Sequence, residues 1–561
     1  MTASATRDRE TDRLYAQLEE GILGRDQLAA SGTLHALLRA GREPTEIISE
    51  TVRVHAPYTN VPYHQRIDGG MLRFVNNDHC LLSSRTSLNL PRYMPDELKH
   101  LPLAQTLWYV PTGLDPWNQL IGRMPGHYGR RTYVPQPGVE PPPPERHWED
   151  QEPLHLEGSF EERLNEWLVL VEQGEVVRAY RVFLGLFEES DRRKELLAQL
   201  VFAGLIDVQG RMLYNRSYTT GHKAYRARAT VELGQAIGWE QSHHVLYAGV
   251  VDLAVGPRWH SEYEMACQVE LFRLREELPT SSIDPTPSQG HDADLFANGS
   301  ALSEPEAEGL IRALTKMPEP DYIEQITALL LAGRSPIEIL DTIQVAAANV
   351  VLEVVVIDEF SMPQHAYEYT NTLRWFYDTF EHPHRTKLLF VAGSFVNQAA
   401  RWIANLEGHG RPVVTTPEGA DALSGDQLLA RLDDALMGLR PPESVAWTQA
   451  YLDAGYGRSP LVRTLATAAV KHGNDPHNQE IGLCLVEDYG HSTSSRRDTL
   501  LLASAYHTAG HRKYGDSLES YRRFAEAFGI DASGEGRGEG DPAEAALDQI
   551  EPLPEPATPS E

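Results

Sequence analysis

Four histidines recur at matching places in the two halves of the chain, and their residue type suits chemistry. His64 and His222 lie in the first half, and His365 and His511 lie in the second. Neutral imidazole ligates iron, zinc, copper and haem, and it also acts as a general base near neutral pH. If the halves pack about a pseudo-twofold axis, we expect these histidines to converge on one site or to line two equivalent pockets. The alternative is that each is a buried, hydrogen-bonded residue of the core.

One pair of histidines has a spacing typical of helical metal ligands. His507 and His511 are four residues apart and therefore project from one face of a helix. Tyr218 occupies the position of His507 in the first half, so the sequence predicts an asymmetric site that is richer in ligands in the second half. The preceding segment adds His472 and His491 as secondary candidates. The HExxH pattern of zinc proteases is absent from this pair.

Three segments of the first half reappear in the second half, in the same order and at a nearly constant offset. The segments 38–48, 62–74 and 218–225 match 331–340, 363–375 and 507–514. The first match has a helix end, a Gly stop and a Pro at the first turn of the next helix. Ordered matches of this kind predict a tandem duplication.

Apolar residues recur with helical periodicity along most of the chain, whereas alternating runs are short and few. The predicted fold is therefore all-α, with helical parts at 1–134, 158–275, 307–440 and 441–530. A Pro-rich spacer at 135–157 and a linker at 276–306 separate these parts. Residues 531–561 are acidic and contain no aromatic residue, which predicts a disordered tail.

Composition excludes several classes of function. The 561 residues include 50 Lys and Arg against 80 Asp and Glu, a formal net charge of −30 that argues against nucleic-acid binding. The three cysteines, Cys80, Cys267 and Cys484, form no CxxC motif, so a Cys-ligated zinc or iron–sulfur site is not expected. The most apolar run, 345–357, is too short to span a bilayer. A cytoplasmic protein without membrane contact is the expectation.

The absence of several sequence motifs argues against nucleotide-dependent enzymes and α/β-hydrolases, and the placement of another motif makes a di-iron site less expected. The chain has no dinucleotide-binding glycine motif, no P-loop and no G-x-S-x-G elbow. Ferritin-like di-iron helices use Glu-x-x-His pairs. Two such pairs, Glu97 with His100 and Glu240 with His243, occur within one half and have no counterpart in the other. A carboxylate-bridged di-iron centre is weakened but stays open.

The segment Pro363-Gln364-His365-Ala366-Tyr367, together with Gly221-His222 and Gly510-His511, resembles a family of all-helical bacterial domains. Members occur alone or ahead of a Rieske ferredoxin module, and they are similar, more distantly, to questin-oxidase-type proteins. The resemblance implies a redox or oxygenase role with the repeated histidines near the functional pocket. It also implies a separate ferredoxin-like partner, because this chain has no Rieske Cys/His pairs of its own.

Two functional hypotheses follow from the sequence. In the first, the protein is an oxygenase-like oxidoreductase that holds a metal ion, iron foremost, or haem between its halves. His222, His365, His507 and His511, with His64 in the first half, would then be ligands or acid–base groups. In the second, the chain is a non-catalytic helical scaffold or accessory subunit of a redox complex, and the histidines are structural. The small-molecule substrate and any homo-oligomeric state stay open.

Overall fold

The computed structural model describes residues 9–24, 26–56, 65–68, 71–74, 79–113, 151–173, 175–206, 221–254, 291–355, 360–406, 410–411, 414–473, 475–511 and 516–532. The first ten helices are α1 (Arg9–Leu23), α2 (Gln27–Arg39), α3 (Pro44–His55), α4 (Cys80–Asn89), α5 (Leu101–Gly113), α6 (Phe160–Glu172), α7 (Val176–Phe187), α8 (Arg193–Ile206), α9 (His222–Ile237) and α10 (His243–Ala254). The others are α11 (His291–Asn298), α12 (Glu304–Lys316), α13 (Asp321–Leu331), α14 (Pro336–Leu352), α15 (Ser361–Thr379), α16 (Lys387–Ala404), α17 (Gly425–Met437), α18 (Pro441–Asp453), α19 (Arg458–Lys471), α20 (Pro476–His491), α21 (Asp498–Gly510) and α22 (Glu519–Phe528).

The all-α prediction is confirmed. One antiparallel hairpin, β1 (Gln65–Asp68) with β2 (Met71–Phe74), is the exception among the described residues, and it pairs Gln65 with Phe74. No helix of the described part combines the length and apolarity needed to cross a membrane.

Two helix junctions have the local structure that the sequence predicts. Gly41 and Gly333 both have a positive φ, 73° and 74°, a conformation that glycine adopts without steric cost. Each glycine ends a helix, and Pro44 and Pro336 are the first residues of α3 and α14. Proline suits this position because the first helical N–H has no intrahelical acceptor. The match between segments 38–48 and 331–340 therefore extends to backbone conformation.

Four helices form the centre of the molecule. Helix α4 packs against α9 and α20, and α15 packs against the same two helices, so that the four make a closed ring. Their polar side chains are buried as well as their apolar ones. Because buried polar groups must find partners to be tolerated, these helices concentrate hydrogen bonds and ion pairs at the centre.

The predicted linkers and tail lie only partly within the described residues. Of segment 276–306, the described part contains α11 and the start of α12, and Ser300 bridges to Arg334, so this part is ordered and largely helical. Of segment 135–157, only 151–157 is described, and it carries no helix. Of the predicted tail 531–561, all but Asp531 and Ala532 lies outside the described residues.

Candidate metal centre

Four histidines converge where the first turns of the central helices meet. We call His79, His222, His365 and His477 the His quartet. His79 precedes the first residue of α4, His222 begins α9, His365 is in the first turns of α15, and His477 is the second residue of α20. All four are buried, with exposed fractions of 2–8%. Residues separated by up to 398 positions in the chain are thus brought into one desolvated place.

The four imidazole rings are in mutual contact. The ring centroids of His79 and His222 are 5.1 Å apart, and those of His365 and His477 are 5.0 Å apart. Across the two halves, His79 lies 4.5 Å from His477 and His222 lies 4.7 Å from His365. One ring nitrogen from each of His79, His222 and His477 lies within 4.8 Å of the other two, close enough for a single ion to contact all three.

Oxygen acceptors fix the outer nitrogen of three of these rings. His79 Nδ1 lies 2.8 Å from Glu480 Oε2, and His477 Nδ1 lies 3.1 Å from Asp475 Oδ1. His365 Nδ1 donates to the carbonyl oxygen of Ser361, which can only accept. In each ring Nδ1 therefore carries the proton, and Nε2 is the nitrogen with the lone pair. Metal-ligating histidines are oriented in this way, by a carboxylate or a carbonyl on the far nitrogen.

The lone-pair nitrogens point at one another. Nε2 of His365 and Nε2 of His477 are 3.2 Å apart, a contact that repels unless a proton or a cation lies between them. Adjacent ligands of one metal are separated by about 3.0–3.4 Å when metal–nitrogen bonds are roughly 2.0–2.1 Å. The observed separation fits that range. Nε2 of His222 is buried and has no hydrogen-bond partner among the described residues.

Burial favours the form of His222 and His477 that binds metals. It lowers the pKa of His222 well below its usual value, and the neighbouring His365 and His79 lower it further. Burial also lowers the pKa of His477, with His79 adding to the effect. The helix N-termini that meet here carry partial positive charge and disfavour imidazolium in the same way. Neutral imidazole, with its lone pair available, is the ligating species.

Further polar contacts extend outward from His477. Asp475 caps α20 and accepts from the backbone N–H of His477, and its other oxygen lies 3.0 Å from His511 Nε2. Burial alone raises the pKa of Asp475, but contacts with His511 and His477 hold it well below its usual value. His511 stacks on His507, with centroids 4.8 Å apart, and His507 Nε2 lies 3.0 Å from Gln364. This series of contacts, from Asp475 through His511 and His507 to Gln364, supports the quartet from one side.

A carboxylate and a small cavity flank the quartet on another side. Glu368 Oε2 lies 4.0 Å from His365 Nε2, is buried, and has no hydrogen-bond partner among the described residues. Burial and the nearby Glu480 raise the pKa of Glu368 well above its usual value. Glu368 and Glu480 also line a cavity of about 20 Å³, which is enough for about one water molecule.

Beyond the cavity, two arginines and two glutamates form an ion-pair network, which we call the Arg–Glu cluster. Arg85 contacts Glu232 at 3.0 Å and Glu487 at 2.8 Å. Arg228 contacts the same two carboxylates at 2.8 and 3.0 Å. Burial works against ionisation of Glu487, but Arg228, Arg85 and the partly exposed Arg92 hold its pKa well below the usual value. These charges are matched.

The predicted site residues divide into several groups. His222 and His365 belong to the quartet, and His507 and His511 lie beside it with their Nε2 atoms on different partners. His64 and Tyr218 lie outside the described residues. His472 is a core residue, with its ring nitrogens on Ser517 Oγ and the Leu436 carbonyl, and His491 is exposed. The paired Glu-x-x-His motifs also lie elsewhere, because Glu97, Glu240 and His243 are exposed and the half-buried His100 is outside the quartet.

The register that matched His222 with His511 is wrong. His222 begins a helix, whereas His511 follows the end of one. Gly221, expected inside a helix, precedes α9 with a φ of 86°, and Gly510 is the last residue of α21. The shared Gly-His pair therefore occurs in two different backbone settings.

Sequence reasoning did not select His79 or His477 as site residues, nor their partners Glu480 and Asp475. A usable signal exists for each histidine. His79 and Thr86 have the same spacing as His365 and Thr372, and His222 and Glu232 have the same spacing as His477 and Glu487. These matches are single residues within otherwise different helices.

In comparisons with known proteins, no protein-family model, no curated protein and no solved structure matches this chain.

Proposed function

We propose that the protein is a non-haem metalloenzyme of the oxidoreductase class, with an ion held by the His quartet. The observation that carries the proposal is the 3.2 Å contact between the lone-pair nitrogens of His365 and His477, in a buried cluster of four imidazoles. A shared proton or a shared cation would account for this contact, and the ring nitrogens of His79 and His222 that lie within 4.8 Å of a ring nitrogen of His477 favour the cation.

The donor set suits a transition metal. Imidazole nitrogen is a common ligand of iron, zinc, copper and nickel, and hard cations such as magnesium prefer oxygen. Asp475 and Glu480 would orient His477 and His79 and raise their basicity, as outer carboxylates do at metal sites. Burial would exclude bulk water from the ion. Iron bound here would supply one-electron and dioxygen chemistry.

A metal ion fits this place better than haem. A haem between two opposite imidazoles needs a wide, flat cavity in the plane between them. The other two imidazoles of the quartet occupy that plane, since neighbouring ring centroids are only 4.5–5.1 Å apart. The cavity beside the quartet, about 20 Å³, holds no macrocycle.

The redox assignment rests on the resemblance to the helical domains that accompany Rieske ferredoxin modules. A ferredoxin-like protein is the corresponding electron donor. The formal charge of −30 makes a complementary basic surface on that donor the expected mode of contact. A non-catalytic scaffold, the other hypothesis from the sequence, requires no metal and is therefore an outcome of the same experiment.

Metal analysis and a UV–visible spectrum of the purified protein, before and after anaerobic loading with Fe(II), test the proposal. We expect about one equivalent of iron in the wild type and its loss in His477→Gln, because a ligand to the ion is removed. His472→Gln is the matched control. It alters another buried histidine, whose nitrogens bond to Ser517 and Leu436, so iron should be retained even if the protein is less stable.

Two results would contradict the proposal. One is a wild-type protein that binds neither iron nor another transition metal. The other is a His477→Gln variant that keeps the wild-type metal content. Either result would favour the scaffold hypothesis. For the second result, circular dichroism must show that the variant is folded.

A further inference from the structure

The helices of the two halves follow one another in the same order. Among the described residues, α1–α10 come before the gap at 255–290, and α12–α21 repeat their sequence of contacts after it. Helix α2 packs on α5 as α13 packs on α16, and α7 packs on α10 as α18 packs on α21. Helices α6, α7 and α8 begin at residues 160, 176 and 193, and α17, α18 and α19 begin at 425, 441 and 458, with identical spacing. This is the arrangement that a tandem duplication produces.

The His quartet follows the same correspondence. Helix order pairs α4 with α15 and α9 with α20, and so pairs His79 with His365 and His222 with His477. The ring separations within each half are 5.1 and 5.0 Å, and those between the halves are 4.5 and 4.7 Å. A pseudo-twofold axis through the quartet requires that the two distances within the halves agree with each other and that the two distances between the halves agree with each other, and both pairs agree within 0.2 Å.

The supporting contacts cross between the halves in a matching way. Glu480, on α20, bonds to the ring of His79 in the first half. Tyr225 holds the same place on α9, three residues after His222 as Glu480 follows His477 by three, and its hydroxyl donates to the backbone carbonyl of His365 in the second half. Glu480 and Tyr225 therefore occupy corresponding positions in the two halves, but one is a carboxylate and the other is a phenol.

The same break occurs one helical turn after His79 and His365. Residues three apart lie on one face of a helix. At this position the first half has Leu82 and the second half has Glu368, and both line the cavity of about 20 Å³. Glu368 therefore brings a carboxylate to this cavity from the second half, and Leu82 brings an apolar side chain to it from the first half.

The cavity itself lies at the pseudo-twofold axis, because its lining is made of corresponding residues from both halves. They are Leu82 with Glu368, Thr86 with Thr372, and Tyr225 with Glu480. Its volume admits about one water-sized molecule. The helix N-termini that meet at the quartet favour a ligand that carries or acquires negative charge. A small molecule of the size of dioxygen, or a small anion, meets both conditions.

We propose that Glu368 is a carboxylate ligand of the metal and that Leu82 keeps the cavity beside it open for one exogenous ligand of dioxygen size. This inference rests on the proposed metal centre. It adds the asymmetry of that centre, the side from which a small ligand binds and the residue that keeps this side open.

Azide binding to the Fe(III)-loaded protein and nitric oxide binding to the Fe(II)-loaded protein test the proposal by spectroscopy. The wild type should bind one probe molecule. Leu82→Glu should hold iron but lose azide binding, because a second carboxylate takes the open position. Glu368→Leu should weaken iron binding at least ~10-fold, since the variant loses a carboxylate from the site. Leu501→Met, a volume-conserving change at a buried residue outside the cavity lining, should behave as the wild type.

Leu82→Ala gives an independent result if Leu82→Glu does not fold. It enlarges the open side and should admit a bulkier anion, thiocyanate, that the wild type binds at least ~10-fold more weakly. The inference is overturned if iron-loaded wild type binds neither probe, or if folded Leu82→Glu binds azide as tightly as the wild type. Unchanged iron affinity in Glu368→Leu also overturns it. A wild type that takes up no metal contradicts the proposed function itself, which is a different and separately visible outcome.

Discussion

The His quartet and the Arg–Glu cluster are both buried among the central helices, yet they use their polar atoms differently. In the cluster, Arg85 and Arg228 each contact both Glu232 and Glu487 within 3.0 Å, so every charge has a counter-charge. In the quartet, four imidazole rings face one another, and Nε2 of His365 and Nε2 of His477 lie 3.2 Å apart. The cluster is saturated without any added group. In the proposed function, an ion completes the quartet.

This difference separates structure from function within one polar core. Removal of one partner from a buried ion pair strongly destabilises a fold, because the other partner is left as an uncompensated buried charge. A metal site behaves differently. Its empty set of donor atoms is unfavourable for folding, and binding of the ion stabilises the folded protein. Substitutions in the two regions should therefore change different measured quantities.

The largest effect on stability should come from Glu487→Gln. It removes the carboxylate shared by Arg85 and Arg228 in a desolvated place. We expect the free energy of unfolding, measured with urea, to fall by about 3–5 kcal/mol, while iron content in the folded fraction stays as in the wild type. Glu519→Gln removes an exposed partner of Arg523 and should cost less than about 1 kcal/mol. Loss of iron in folded Glu487→Gln would show that the two regions are not separable.

Asp488, the residue after Glu487, tests whether burial or the neighbouring ion pairs determine the ionisation state of a buried carboxyl group. Burial raises the pKa of Asp488 from 3.8 to about 7. Because the folded-state pKa lies above the unfolded value, folding takes up a proton, and this contribution is fully present below about pH 4 and lost as the pH rises through about 7. The unfolding free energy of the wild type relative to Asp488→Asn should therefore fall over this range.

The size of that fall should be about 1–4 kcal/mol, at 1.36 kcal/mol for each unit of pKa shift. Urea unfolding of both proteins at pH 4.5, 6 and 7.5 measures it. Parallel pH profiles of the two proteins would mean that Asp488 is ionised in the folded state, and that the matched charges of the cluster extend to it.

Local sequence patterns predicted the elements better than the site. Helical periodicity and the Gly-Pro junctions at Gly41 and Gly333 reflect short-range physics, and the structure has them as expected. Two members of the quartet, His222 and His365, were predicted as site residues from segment matches that differ in structure. The first-half partner of segment 363–375 contains the β1–β2 hairpin, whereas 363–375 lies in α15. The tandem duplication stays a prediction, now with helix order as its basis.

The other half of the quartet depends on packing that no local pattern encodes. The segment around His79 has little in common with the segment around His365 beyond the equally spaced Thr86 and Thr372. A comparison of residues therefore does not identify His79. Matching Gly221-His222 with Gly510-His511 gave a wrong register, because the same two residues begin one helix and end another. The oxygen acceptors that set the tautomers come from residues such as Ser361 and Glu480, whose role is visible only in three dimensions.

The smallest effect should come from the residue that orients the quartet without joining it. Asp475→Asn keeps the size and the helix-capping oxygen but removes the negative charge opposite Nδ1 of His477. We expect iron affinity to fall about 10–100-fold, equivalent to about 1.4–2.7 kcal/mol, with the metal stoichiometry unchanged at saturation.

Asp26→Asn is the matched control, because Asp26 caps α2 through the backbone N–H of Ala29 and lies in an exposed turn. It should leave the iron affinity unchanged. Competition with a chelator measures both variants against the wild type. If Asp475→Asn binds iron as tightly as Asp26→Asn does, Asp475 only caps its helix, and the distinction between a supported metal centre and a saturated ion-pair network would have to rest on the imidazoles alone.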